Sequence, residues 1–230
     1  MLFTDETADS KPIHLIYEDG FEPWIAGQPE ATRNWAAANA FKGERHKVLL
    51  IPDSSGRTGG VLVGLGRRER DEITCWTIAG LADRLPEGRY HLATELPAHA
   101  AAHCAFGWLY GQYRFERYRK PTPSRKIELR LPSGVNVDEM ERLRAATTLA
   151  RDLINAPANE MTPEALANAA IDIARRHGCR HRQVIGDALL SERFPAIHAV
   201  GRASAVAPRL VDMEWGDPSH PKVTLVGKGV

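Results

Sequence analysis

Between residues 13 and 131, short runs of branched apolar residues alternate with stretches of helical spacing, and this alternation constrains the fold most. Residues 13–17 (Ile-His-Leu-Ile-Tyr), 47–51 (Lys-Val-Leu-Leu-Ile) and 61–65 (Val-Leu-Val-Gly-Leu) are bounded by glycine, proline or charge. They read as strands, with weaker strands at 88–94 and 126–131. Residues 30–39 and 73–85 read as helices. Pro97 suits the first position of another, whose stripe is Ala101, Cys104, Ala105 and Trp108. Strands alternating with helices imply an α/β layer fold: a mixed sheet flanked by helices.

A long helix is expected next. Asn136 is a good N-cap, with Glu139 placed to reach back. Met140, Leu143, Thr147, Ala150 and Ile154 share one face, and the helix should end before Pro157. A further helix opens at Thr162-Pro163-Glu164, with Leu166, Ala170, Ile173 and His177 as its apolar stripe and Gly178 as its stop. Residues 209–215 and 222–226 read as strands joined by a turn at 216–221, an expected antiparallel pair. The expected organisation is an N-terminal α/β domain over 1–132, a connecting helix and loop over 133–159, and the opening of a second domain over 160–230.

Charge narrows the partners. Lysine and arginine total 30 against 29 acidic residues, so no global field draws the chain to nucleic acid or membrane. The basic stretch 117–126 is broken by prolines and reads as a solvated loop rather than a nucleic-acid contact. No run approaches the length of a membrane span, and residues 1–11 lack the apolar core of a signal peptide. Cys75, Cys104 and Cys179 are widely spaced without a CxxC pair, which fits three reduced thiols in a cytoplasmic protein.

Few residue patterns carry chemistry. An apolar run, 223–226, leads into Gly227-Lys228-Gly229, where glycines admit a close ligand and a lysine can serve as point charge, acid or, when neutral, metal ligand. It is not a phosphate loop: Lys222 stands at the first glycine position and Gly229 replaces the hydroxyl residue. Gly64-Leu65-Gly66 lacks the third glycine of a dinucleotide fingerprint, since Glu69 stands there, and reads as a strand-ending turn. His99 and His103, four apart beside Cys104, have a spacing that can bind metal. With Ala100 where a catalytic glutamate would follow, they read as packing residues. His177, Cys179 and His181 straddle a helix end and read as structural. No Gly-x-Ser-x-Gly elbow is present.

Four segments resemble the leucyl aminopeptidase (cytosol aminopeptidase) family of dinuclear metallopeptidases. They are Arg151-Asp152-Leu153-Ile154-Asn155-Ala156-Pro157-Ala158-Asn159-Glu160-Met161-Thr162-Pro163, the stretch from Phe194 to Ser204 with Ala207-Pro208-Arg209-Leu210, Val223 to Val230, and Tyr113 to Tyr118. The resemblance is weak before residue 105 and strong after 148. It implies removal of N-terminal, leucyl-type residues from peptide substrates by two divalent cations, typically zinc, manganese or magnesium, in a homo-hexamer. It implies that Lys228 ligates one metal as the neutral amine. It also implies further carboxylates, a second lysine and an arginine beyond the segment that Lys228 matches. On that footing the chain is expected to be the N-terminal portion of such an enzyme, with no complete catalytic set of its own and inactive by itself. The alternative from another class is a non-catalytic interaction or regulatory module with a possible DNA contact.

Overall fold

The computed structural model describes residues 3–4, 9–120, 123 and 125–230. Asp5 and Glu6, and Pro121, Thr122 and Ser124 of the basic stretch, lie outside the described residues. The chain divides into two compact units, 1–149 and 150–230.

The first unit is an α/β layer structure around one six-stranded sheet. Its elements run β1 (Phe3–Thr4), β2 (Lys11–Tyr17), α1 (Glu18–Ala26), α2 (Glu30–Ala38), β3 (Val48–Pro52), β4 (Thr58–Gly66), α3 (Trp76–Ala79), α4 (Leu81–Arg84), β5 (Gly88–Leu92), α5 (Ala98–Gly111) and β6 (Ile127–Arg130). The spatial order is β1-β6-β5-β2-β4-β3. All neighbours are parallel except β3, which returns antiparallel to β4. The β3–β4 turn is closed by Asp53, whose Oδ1 accepts from the backbone N–H groups of Ser55 (2.8 Å) and Arg57 (2.9 Å).

Alternation along the strands sorts the core into two layers. Ile13, Leu15, Val61, Val63 and Leu65 pack with Cys104, Ala105 and Trp108 of α5. Ile16 and Leu62 point the other way, onto Phe21, Ala36 and Phe41 beside α1 and α2. The Phe21 and Phe41 rings meet edge-on at 5.6 Å. Trp108 is fully buried, a burial that contributes about 2–3 kcal/mol.

Two departures from the sequence reading have clear causes. Gly20 and Pro23 disguise α1, because both residues disfavour a helix interior. Burial of Phe21 holds the turn together regardless. The single helix expected over 73–85 is two short ones, broken at Gly80. Here the backbone carbonyls of Cys75 and Ala79 press onto Gly107 and Gly111 of α5, so closely that a Cβ at either glycine would overlap them. Pro97 is the N-cap of α5, one place earlier than expected.

Helix α6 (Val137–Asn155) starts where Asn136 caps it, its Oδ1 accepting from the Glu139 N–H at 3.1 Å. Its expected apolar face is not buried as a whole. Met140 is buried, whereas Leu143 is exposed and Ile154 is 80% exposed.

The second unit holds α7 (Pro163–Arg176), β7 (Arg180–Ile185), α8 (Ala188–Ser191), α9 (Pro195–Gly201) and β8 (Arg209–Glu214). Thr162 caps α7, accepting from the Ala165 N–H at 3.2 Å, with Pro163 first inside. Gly178, at φ +65°, ends it. Cys179 N–H donates to Ala174 O (2.8 Å) and Gly178 N–H to Arg175 O (3.3 Å), a Schellman closure. The buried stripe is Ala167, Ile171 and Ala174, one residue round from the expected one, and His177 is exposed.

The strand at 222–226 is not formed, which corrects the expected pairing. β8 pairs antiparallel with β7 instead, Arg180 opposite Glu214 and Arg182 opposite Asp212. Ion pairs join both couples, at 2.6 and 3.2 Å. Val223, Leu225 and Val226 are 85–93% exposed. A strand needs a ladder partner for its backbone groups, and among the described residues none lies beside 222–226.

Candidate functional site

The Gly227-Lys228-Gly229 segment follows the extended stretch 222–226 and comes back onto α7. Gly229 lies so close to the Leu166 side chain that a Cβ there would overlap it. A larger residue there would require the Leu166 side chain to move aside. The Lys228 ammonium is exposed and donates to the Gly229 carbonyl at 3.2 Å.

The remaining candidates resolve into structure. Gly64 and Gly66 end β4: Gly66 adopts φ +82°, and a Cβ on Gly64 would overlap the Glu44 carbonyl. His99 and His103 stand on one face of α5 with rings 6.3 Å apart, and His103 Nδ1 lies 3.1 Å from the Ile73 carbonyl oxygen. His181 Nδ1 lies 3.3 Å from the Cys179 carbonyl oxygen. Arg125, in the basic stretch, donates to the carbonyls of Ala82, Asp83 and Leu85, so it closes the end of α4.

Tested against a dinuclear centre, this donor set does not fit. Two divalent ions need several carboxylate oxygens around a shared pocket. Lys228 supplies one amine, and among the described residues no three histidine, cysteine, aspartate or glutamate side chains gather to hold a metal.

Residues 11–132 match the family model of the M17 aminopeptidase N-terminal domain. Residues 148–230 match that of the cytosol aminopeptidase family catalytic domain. The chain belongs to the cytosol aminopeptidase family.

Individual relatives agree. A protein named probable cytosol aminopeptidase from Corynebacterium diphtheriae is 30% identical over 202 residues, covering 82% of this chain and 40% of its own. One of the same name from Wolinella succinogenes is 33% identical over 246 residues, covering 96% and 50%. The crystal structure of cytosol aminopeptidase from Coxiella burnetii matches with a TM-score of 0.82 at 31% identity, over 95% of this chain and 47% of that one. The bottromycin maturation enzyme BotP in complex with Mn matches with a TM-score of 0.68 at 26% identity, over 92% and 46%. The chain thus spans about half the length of the cytosol aminopeptidases it matches. Over its matched part, the Coxiella burnetii structure has the α/β arrangement described above.

One part of this chain carries no sequence motif. A crevice opens where β2, β4 and β5 end, lined by Tyr17, Trp24, Arg68, Glu72, Thr94 and His99 among others. Those residues are scattered over more than eighty positions without a motif. The available signal is topological: ligands of open parallel sheets bind beyond the carboxyl ends of the strands.

Proposed function

We propose that this chain serves a metal-dependent aminopeptidase that releases N-terminal, leucyl-type residues from peptides. The match of residues 148–230 to a catalytic domain carries this reading, because Lys228 lies within it. In the proposal Lys228 is a ligand to one of two divalent ions, zinc, manganese or magnesium. Such ions polarise a scissile carbonyl and supply a hydroxide-like nucleophile. The neutral amine that ligation requires is favoured by an adjacent dication. The Mn complex of BotP supports a divalent ion of this kind.

What this chain contributes on its own is positional. Gly229 lies against the Leu166 side chain of α7, which brings the Lys228 segment beside that helix. The same proposal takes 1–132 as an N-terminal domain, 133–159 as a connecting helix and loop, and 160–230 as the opening of the catalytic domain. Assembly as a homo-hexamer and a cytoplasmic location belong to it. No helix among the described residues is long and apolar enough to cross a membrane.

Because one amine does not fit a two-metal centre, the purified 230-residue chain is expected to be inactive by itself. Its release of leucine from a leucyl-anilide with added Mn should equal that of a metal-only blank. Chelator-sensitive release above the blank would overturn that part of the proposal.

A further inference from the structure

We propose that His99 and His103 of α5 form a two-histidine chelating site for a divalent transition-metal ion of the zinc, nickel or copper class. The inference uses residues of the first unit alone and does not depend on the aminopeptidase reading.

The helix sets the spacing. Residues four apart are neighbours on a helix surface, and α5 runs unbroken from Ala98 to Gly111. The two rings are 6.3 Å apart and nearly perpendicular. Both histidines were expected to pack. Instead both are exposed, while Ala100, Ala101, Cys104 and Ala105 beside them fill the core. An exposed pair can close on an ion by side-chain rotation, with the backbone in place.

Hydrogen bonding decides which nitrogen binds. His103 Nδ1 lies 3.1 Å from the Ile73 carbonyl oxygen. A carbonyl only accepts, so Nδ1 carries the proton and Nε2 keeps its lone pair for a ligand. Histidines that hold metals are oriented by the same kind of second bond. Ile73 belongs to the segment between β4 and α3, so an ion on Nε2 also ties that segment to α5. His99 makes no hydrogen bond among the described residues, which leaves its ring free to turn.

The surrounding charge favours a cation. Both histidines line the crevice at the ends of β2, β4 and β5, together with Arg68, Asp71, Glu72 and Glu95. Arg68 lies over the Tyr17 ring at 4.3 Å and pairs with Asp19 at 3.1 Å. Asp71 pairs with Arg45. Glu72 and Glu95 remain, and their two charges outweigh the roughly half positive charge at the N-terminus of α5. Imidazole nitrogen then selects the ion. It suits zinc, nickel and copper, whereas magnesium and calcium prefer oxygen. No three histidine, cysteine, aspartate or glutamate side chains gather among the described residues, so water completes the coordination.

The test is a calorimetric titration of the metal-free, full 230-residue chain with zinc chloride. Saturable binding is expected, and His99→Ala and His103→Ala should each weaken it at least about tenfold by removing one of two donors. His99 is exposed, so His99→Ala should keep the melting temperature of the metal-free chain. His99→Cys keeps a donor at the same spacing and should restore binding. Zinc should raise the melting temperature of the unaltered chain and leave that of His99→Ala where it was. Substoichiometric nickel should broaden the backbone amide NMR signals of residues 98–104 and of Ile73 before any others. Unchanged zinc affinity in His99→Ala, nickel broadening centred on His177 and His181, or equal binding of magnesium would overturn the proposal. Any of these would leave the aminopeptidase reading standing, since that is decided by hydrolysis.

Discussion

Cys104 lies at the centre of the first unit's core, and burial pushes its thiol up to about 12. A thiol reagent at neutral pH should therefore modify Cys75 and Cys179, which are partly exposed, and reach Cys104 only on unfolding. Counting thiols released with and without denaturant checks this; three fast-reacting thiols in the native chain would contradict it. His14 and His91 respond in the opposite pH range. Burial lowers both, with His91 adding to the effect on His14 and Arg130 to that on His91. The unfolded chain then binds protons first, so stability present above the ordinary histidine value near 6.5 is lost as pH falls below it. His14→Phe should flatten the drop in melting temperature between neutral pH and about pH 5.5. Neither effect was legible in the sequence. A histidine within an apolar run and a cysteine on an apolar stripe show composition, whereas desolvation depends on what the opposite layer packs against them.

Helix ends were the most legible elements, because capping chemistry is local. Asn136, Thr162 and Gly178 each do what their residue types allow. Thr162→Ala should cost about 1 kcal/mol in chemical denaturation. Gly178→Ala should cost about as much, by forcing a Cβ into a left-handed backbone. Interiors were less legible. The break at Gly80 comes from two carbonyls meeting Gly107 and Gly111, a contact made across more than thirty residues. Gly111→Ala should therefore destabilise the first unit by about 1–3 kcal/mol or more, read as a lowered urea midpoint. A neutral substitution would show that α3 and α5 do not pack this closely. β7 escaped notice because Arg180, His181, Arg182 and Gln183 hide its period. The expected strand at 222–226 failed for the converse reason: an apolar run has strand character, but a ladder also needs a neighbour.

At the scale of the whole molecule, the N-terminal α/β layer was readable from alternation alone: five of its six strands fall within a few residues of expectation, and the two-residue β1 was not expected. The family was readable only from four segments taken together, three of them after residue 148, which no single spacing rule identifies. Among the described residues the Lys228 ammonium meets a neighbouring carbonyl and no carboxylate. Its proposed role needs carboxylates that this donor set does not provide. The decisive measurement joins residues 1–230 to the remaining C-terminal half of the Coxiella burnetii cytosol aminopeptidase and follows leucine release from a leucyl-anilide. The account predicts chelator-sensitive hydrolysis that Lys228→Met lowers by about a hundredfold or more, a loss of roughly 2.7 kcal/mol of transition-state stabilisation, without loss of fold. A soluble, folded chimera that is inactive, or one that keeps full activity with Lys228→Met, would contradict it.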